Sequence, residues 1–121
     1  MSDAPASNLR VHIERLCDIV LARLAGSLGA ADAPELTETL AEHALGEGAR
    51  LAIDLSALTA LDSSGLSALI HIVTRARMTG GRVVLIAPST FVSGVLTVTR
   101  LDTWFDLCDT LDEALLWLNQ K

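Results

Sequence analysis

The sequence predicts an α/β fold with a mixed sheet, and three observations carry that prediction. Residues 51–86 hold a short apolar run (Leu51, Ala52, Ile53, Leu55), a loop, a helical pattern and a second apolar run, Val83-Val84-Leu85-Ile86. Strand, helix and strand in so short a stretch make a βαβ unit with parallel strands. Residues 9–24 hold two strand patterns with almost nothing between them, which is an antiparallel hairpin. Three further helical patterns stand outside the βαβ unit, led by Asp32, Ser89 and Thr110.

Residues 1–8 are small and polar and read as a loose tail. In residues 9–16, Leu9, Val11 and Ile13 alternate with Arg10, His12 and Glu14, the pattern of a half-buried strand at or near a sheet edge. A second strand over 18–24 turns back near Cys17-Asp18. Residues 26–36 then read as a loop into a helix. Asp32 is its cap, Glu35 stands three residues on, and Pro34 falls in the first turn. Leu36, Leu40 and Ala44 mark its buried face, and Gly46 and Gly48 end it.

After the strand at 51–55, residues 56–61 read as a loop leading to Asp62-Ser63-Ser64-Gly65. Leu66, Leu69, Ile70, Val73 and Ala76 give the next helix one apolar face, and Gly80-Gly81 closes it. The run Val83–Ile86 is continuously apolar, as a strand covered on both faces is. Ser89 caps a third helix over about residues 90–99, with Phe91, Val92, Val95, Leu96 and Val98 apolar. Gly94 costs this helix ~1 kcal/mol relative to alanine, so tertiary packing must hold it. Its lack of charge makes it a candidate face for a partner or for self-association as a homodimer. Residues 101–107, with Trp104 and Phe105 as large anchors, read as a short last strand. Thr110 with Glu113 forms a capping box for a C-terminal helix lined by Leu111, Ala114, Leu115 and Leu118.

Composition bounds the function. At 121 residues the chain is one domain, expected over residues 9–121 behind the tail. Hydrophobic residues make up 50% of it and aromatic residues 3%, so the core must be built from Leu, Val, Ile and Ala. A net charge of −6 argues against nucleic acid as a direct ligand. No apolar stretch reaches the ~18 residues of a membrane span, and residues 1–8 lack the basic-then-apolar pattern of a signal peptide, so a cytoplasmic location is expected. Cys17 and Cys108 have no ligand-like spacing and read as reduced thiols.

The chemistry concentrates at the start of the second helix. Asp62 and Ser63 are both good N-cap residues, and a helix start leaves up to four backbone N–H groups without intrahelical partners. With the positive end of the macrodipole, those groups favour an anion. A phosphoryl group on a serine there adds roughly −1.5 to −2 charge and three acceptor oxygens. The site can therefore change its surface charge while its fold stays put. As an enzyme nucleophile, Ser64 lacks a base: His71 lies two turns further along the same helix, and His12 and His43 belong to no motif. The Gly-x-Ser-x-Gly elbow is absent, since Asp62 stands where its first glycine belongs, and there is no phosphate-binding P-loop motif.

The stretch LAIDLSALTALDSSGLSALIHIVTRARMTGGRVVLI resembles the STAS family, most closely its small anti-sigma factor antagonists. Those proteins carry Asp-Ser-Ser-Gly-Leu at the start of the helix after the third strand, here Asp62, Ser63, Ser64, Gly65 and Leu66. The resemblance implies the STAS fold, a mixed four- to five-stranded sheet with about four helices largely on one side. It implies a non-enzymatic, cofactor-free partner switch. The unphosphorylated protein binds an anti-sigma factor with GHKL-type serine kinase activity and is released when that kinase phosphorylates Ser64. A PP2C-type phosphatase resets it. Asp62, Ser63, Gly65, Leu66, Ser27 and Gly29 are the implied supports and partner contacts. The alternative within the family is a scaffold that is not phosphorylated, or a cytoplasmic accessory of a transporter, with Ser64 only capping a helix. Gly26, Ala33, Pro34 and Leu36 also match the family. The chain departs at Gly29, where many antagonists have an acid, at Ser93 and Gly94, often basic, and at Arg100, often glycine.

Overall fold

A computed structural model describes residues 9–44 and 46–120. The tail expected over residues 1–8 and the side chain of Ala44 on the first helix's buried face lie outside the described residues. Five strands form one sheet in the order β1-β2-β3-β4-β5: β1 (Leu9–Leu16), β2 (Ile19–Leu28), β3 (Arg50–Leu61), β4 (Arg82–Ile86) and β5 (Asp106–Cys108). The β1–β2 hairpin is antiparallel, and every later pairing is parallel. The four helices are α1 (Ala33–Ala44), α2 (Ser63–Met78), α3 (Thr90–Val98) and α4 (Leu111–Leu118).

The parallel strands advance one place at a time in a single direction. Crossovers of one hand then deliver α1, α2 and α3 to the same face. Leu36 and Leu40 of α1, Leu69, Ile72 and Val73 of α2, and Val92 and Leu96 of α3 pack there on Ala22, Leu24, Leu51, Ile53, Val83 and Leu85. The last helix among the described residues, α4, covers the other face. Its Ala114 and Leu118 pack on Ile19, Leu21, Ala52, Val84 and Ile86. The core is almost wholly aliphatic, with Phe105 its buried aromatic ring.

The structure corrects the sequence reading in three places. First, β2 runs to Leu28, so residues 26–28 are strand and not loop. Second, β3 continues through residues 56–61. Register shifts between Arg23 and Ala25 and between Gly26 and Ser27 break the two-residue alternation, leaving Leu55, Leu58 and Leu61 buried at every third position. The Asp54 carboxylate also accepts from the Ser56 N–H (2.9 Å) and hydroxyl (2.7 Å), local bonds that mimic a turn. Third, residues 101–103 form a 3₁₀ turn, and the last strand is three residues, Asp106–Cys108. Trp104 and Phe105 sit between them with ring centroids 4.9 Å apart, edge to face.

The caps follow the sequence. Gly80 takes a left-handed φ of 76° after α2, and the Gly81 N–H reaches back to the Ala76 carbonyl at 2.7 Å, a Schellman closure. Ser89 accepts from Val92 N–H at 3.3 Å. Thr110 accepts from Glu113 N–H at 3.2 Å while its hydroxyl meets the Glu113 carboxylate. Arg100 has a left-handed φ of 61°.

Candidate functional site

The site lies at the carboxyl end of β3, where parallel sheets characteristically expose loops for ligands and partners. The chain leaves β3 at Leu61, passes Asp62 in extended backbone (φ −100°, ψ −176°) and enters α2 at Ser63. The Asp62 carboxylate accepts from Gly65 N–H at 2.9 Å, and the Asp62 carbonyl accepts from Leu66 N–H at 2.9 Å. Asp62 is thus the N-cap, and Ser63 and Ser64 are the first two helical residues. Their N–H groups have no carbonyl four residues back within the helix.

Gly65 explains why this helix start is fixed. It is buried, and a Cβ added to it would stand 2.4 Å from the Leu28 carbonyl oxygen and 2.9 Å from both Leu28 Cγ and Leu61 Cδ1. That carbonyl is itself held by Asp62 N–H at 3.2 Å. The first turn of α2 therefore presses onto the end of β2, and only glycine permits the approach. With Gly65 pinned below and Asp62 pinned at the side, Ser63 is exposed and Ser64 half-buried. Leu66 is half-buried against the core, not in the groove described next.

Beside this helix start, Ser27, Leu28, Gly29, Ala30, Ala31 and Asp32 border an open groove of about 300 Å³, closed opposite by Ala60, Leu61, Asp62 and Phe91. The structure thus brings Ser27 and Gly29 to Asp62. A Cβ on Gly29 would lie 2.9 Å from Asp62 Oδ2, so an acid there would set two carboxylates against each other. The same loop carries another acid: Asp32, 5% exposed, accepts from Gly29 N–H at 3.3 Å. The sequence marks Asp32 as a helix cap and Phe91 as one apolar residue of α3. Neither reading placed them at this groove, because only the β2–α1 and β4–α3 connections bring them there.

Of the histidines, His71 is exposed on α2, His12 is on β1 and His43 is in the last turn of α1. No group of three metal-ligating side chains comes together among the described residues. No helix among them is long and apolar enough to cross a membrane. Cys17 is exposed at the hairpin turn. The Cys108 thiol is pushed up in pKa, first by burial and then by the nearby Glu113 carboxylate.

The family profile described as STAS domain matches residues 10–114. An anti-sigma factor antagonist from Mycobacterium paratuberculosis is 29% identical over 96% of this chain and 97% of its own, with a TM-score of 0.77. The Thermotoga maritima protein TM1081 is 24% identical over 91% of this chain and 95% of its own, with a TM-score of 0.81. The Bacillus cell fate determinant SpoIIAA, in its phosphorylated form, is 22% identical over 91% of this chain and 100% of its own, with a TM-score of 0.70.

Proposed function

The chain belongs to the STAS domain family, and from that premise we propose that it is an anti-sigma factor antagonist working by partner switching. Residues 9–121 act as a single cytoplasmic, non-catalytic domain without a direct nucleic-acid contact. Unphosphorylated, it binds an anti-sigma factor with GHKL-type serine kinase activity. That kinase transfers the γ-phosphoryl group of ATP to Ser64 Oγ, releasing ADP and the hydroxyl proton, and the complex dissociates. A PP2C-type phosphatase hydrolyses the ester and resets the protein.

One observation carries this reading. Ser64 is the second residue of a helix whose start is fixed by the Asp62 cap and the Gly65 contact, so its hydroxyl is offered at a rigid, partly open surface. Phosphorylation needs no rearrangement there. It sets roughly −1.5 to −2 charge beside Asp62, at the centre of a surface that a partner must desolvate. An unpaired buried charge costs several kcal/mol, and ~1.4 kcal/mol is tenfold in affinity, so the modification is enough to release a partner. The likeness to the mycobacterial antagonist over nearly the whole of both chains supports the same function.

The test is recovery of partners from the native host with wild type, Ser64→Ala and Ser64→Asp, read by mass spectrometry. The proposal expects a GHKL-type kinase with Ser64→Ala, its loss with Ser64→Asp, and phosphate on Ser64 of the wild type. Recovery of the same scaffold or transporter proteins by all three, with Ser64 unmodified, would make the serine a helix cap and the protein an adaptor.

A further inference from the structure

The edge of the sheet far from α4 carries a self-complementary pattern. β1 has one paired neighbour among the described residues, β2, and is the outermost strand. It is eight residues long, pairs with β2 over its whole length without a register shift, and contains no proline or glycine. The opposite edge, β5, is only three residues. A long regular edge presents a row of backbone donors and acceptors that invites another strand, and natural sheets blunt it with bulges, prolines or charged side chains. β1 has no bulge or proline, and its charges, Arg10, Glu14 and Arg15, are of both signs.

Its side chains are ordered symmetrically about His12. Arg10 and Glu14 stand two residues either side of it on one face, and Val11 and Ile13 one residue either side on the other. Val11 and Ile13 are half-buried at the rim of the core, so a strand laid alongside would extend their burial. Arg10 is exposed, and Ala25, opposite it on β2, offers it no charge. The Glu14 side chain is 38% exposed, and its Oε1 lies 3.4 Å from Arg23 on β2 and 3.7 Å from His12 on its own strand.

We infer that β1 is the interface of a two-fold homodimer, in which the β1 strands of two copies pair antiparallel with His12 opposite His12. That register places Arg10 of each copy against Glu14 of the other, twice, and Val11 against Ile13, twice. A slip of two residues either way loses both Arg10–Glu14 pairs. A two-fold axis makes the contact self-complementary and closed, so it yields dimers and not fibres. The result is one ten-stranded sheet with both copies of α4 on one face and α1–α3 on the other. The two Ser64 sites lie at opposite ends of it, and neither includes a β1 residue, so the inference stands apart from the proposed switch.

Sedimentation of the full chain across a concentration series tests it. Wild type is expected to associate to a dimer. Arg10→Glu and Glu14→Arg each create two like-charge cross-strand pairs, and each should weaken the dimer by about tenfold or more. An equimolar mixture of the two variants should re-form a dimer, because each supplies the charges the other lacks, and the double variant should recover likewise. This rescue separates the interface from any folding defect, which circular dichroism of each single variant also monitors. Wild type that stays monomeric throughout, single variants that dimerise as well as wild type, or a mixture that fails to associate would each overturn the inference. Monomeric wild type bearing a bound peptide along β1 would do the same, and would assign the edge to a foreign strand.

Discussion

Replacing Gly65 with alanine tests whether the α2 start is as tightly seated as the structure shows. The new Cβ would stand 2.4 Å from the Leu28 carbonyl oxygen. A relaxed carbon–oxygen contact is about 3.3–3.6 Å, so the deficit is about 1 Å. No rotamer relieves it, because the obstacle is backbone and its carbonyl accepts from Asp62 N–H. Either the first turn of α2 or the end of β2 must move. Overpacking of this kind costs about 1–3 kcal/mol, and strained backbone puts this case at the upper end. Alanine returns up to ~1 kcal/mol of helix propensity. The net expectation is about 2 kcal/mol of destabilisation, or roughly 6–10 °C in Tm for a domain of this size. Urea and thermal unfolding followed by circular dichroism measure it. Gly29→Ala is the control: its closest contact, 2.9 Å, is to the tip of the Asp62 side chain, which can give way, so its cost should be less than half as large. If Gly65→Ala proved as stable as wild type, the glycine would not be a packing requirement, and the rigid presentation of Ser64 would lose its basis.

Three further outcomes are expected. Asp62→Ala removes the α2 cap and should cost about 1 kcal/mol in urea unfolding, whereas Asp62→Asn, which can also cap, should stay within a few tenths. Arg100→Gly relieves a left-handed non-glycine residue and should raise stability by about 0.5–1 kcal/mol, seen as a higher Tm, despite the entropy glycine adds to the unfolded chain. The raised pKa of Cys108 lowers its thiolate fraction at neutral pH. Mass-resolved alkylation should therefore modify Cys17 first, and Glu113→Gln should lower the Cys108 pKa and speed its reaction.

Much of this fold could be read from local pattern. The hairpin turn at Cys17-Asp18 and the caps at Asp62, Ser89 and Thr110 rest on bonds between residues a few positions apart, and the βαβ unit shows through the apolar periodicity within each of its elements, so their signals are local in the chain. The far half of β3 could not be read, because bulges opposite β2 shift its burial from every second to every third residue, and a bulge is set by the partner strand. The 3₁₀ turn at residues 101–103 was hidden by its apolar Leu101 and by the aromatic pair that follows it. At the site, the Asp-Ser-Ser-Gly order announces the helix start, but its neighbours come from elsewhere. The Leu28 carbonyl that makes Gly65 obligatory, the Asp32 carboxylate on Gly29 and the ring of Phe91 all arrive through long-range topology.

In the proposed switch, charge on Ser64 controls partner binding. Its most direct test is the affinity of the kinase recovered from the native host for this protein, unphosphorylated and stoichiometrically phosphorylated on Ser64, by isothermal titration calorimetry. With several kcal/mol at stake, the phosphorylated form should bind at least about a hundredfold more weakly. Equal affinities for the two forms would contradict the switch.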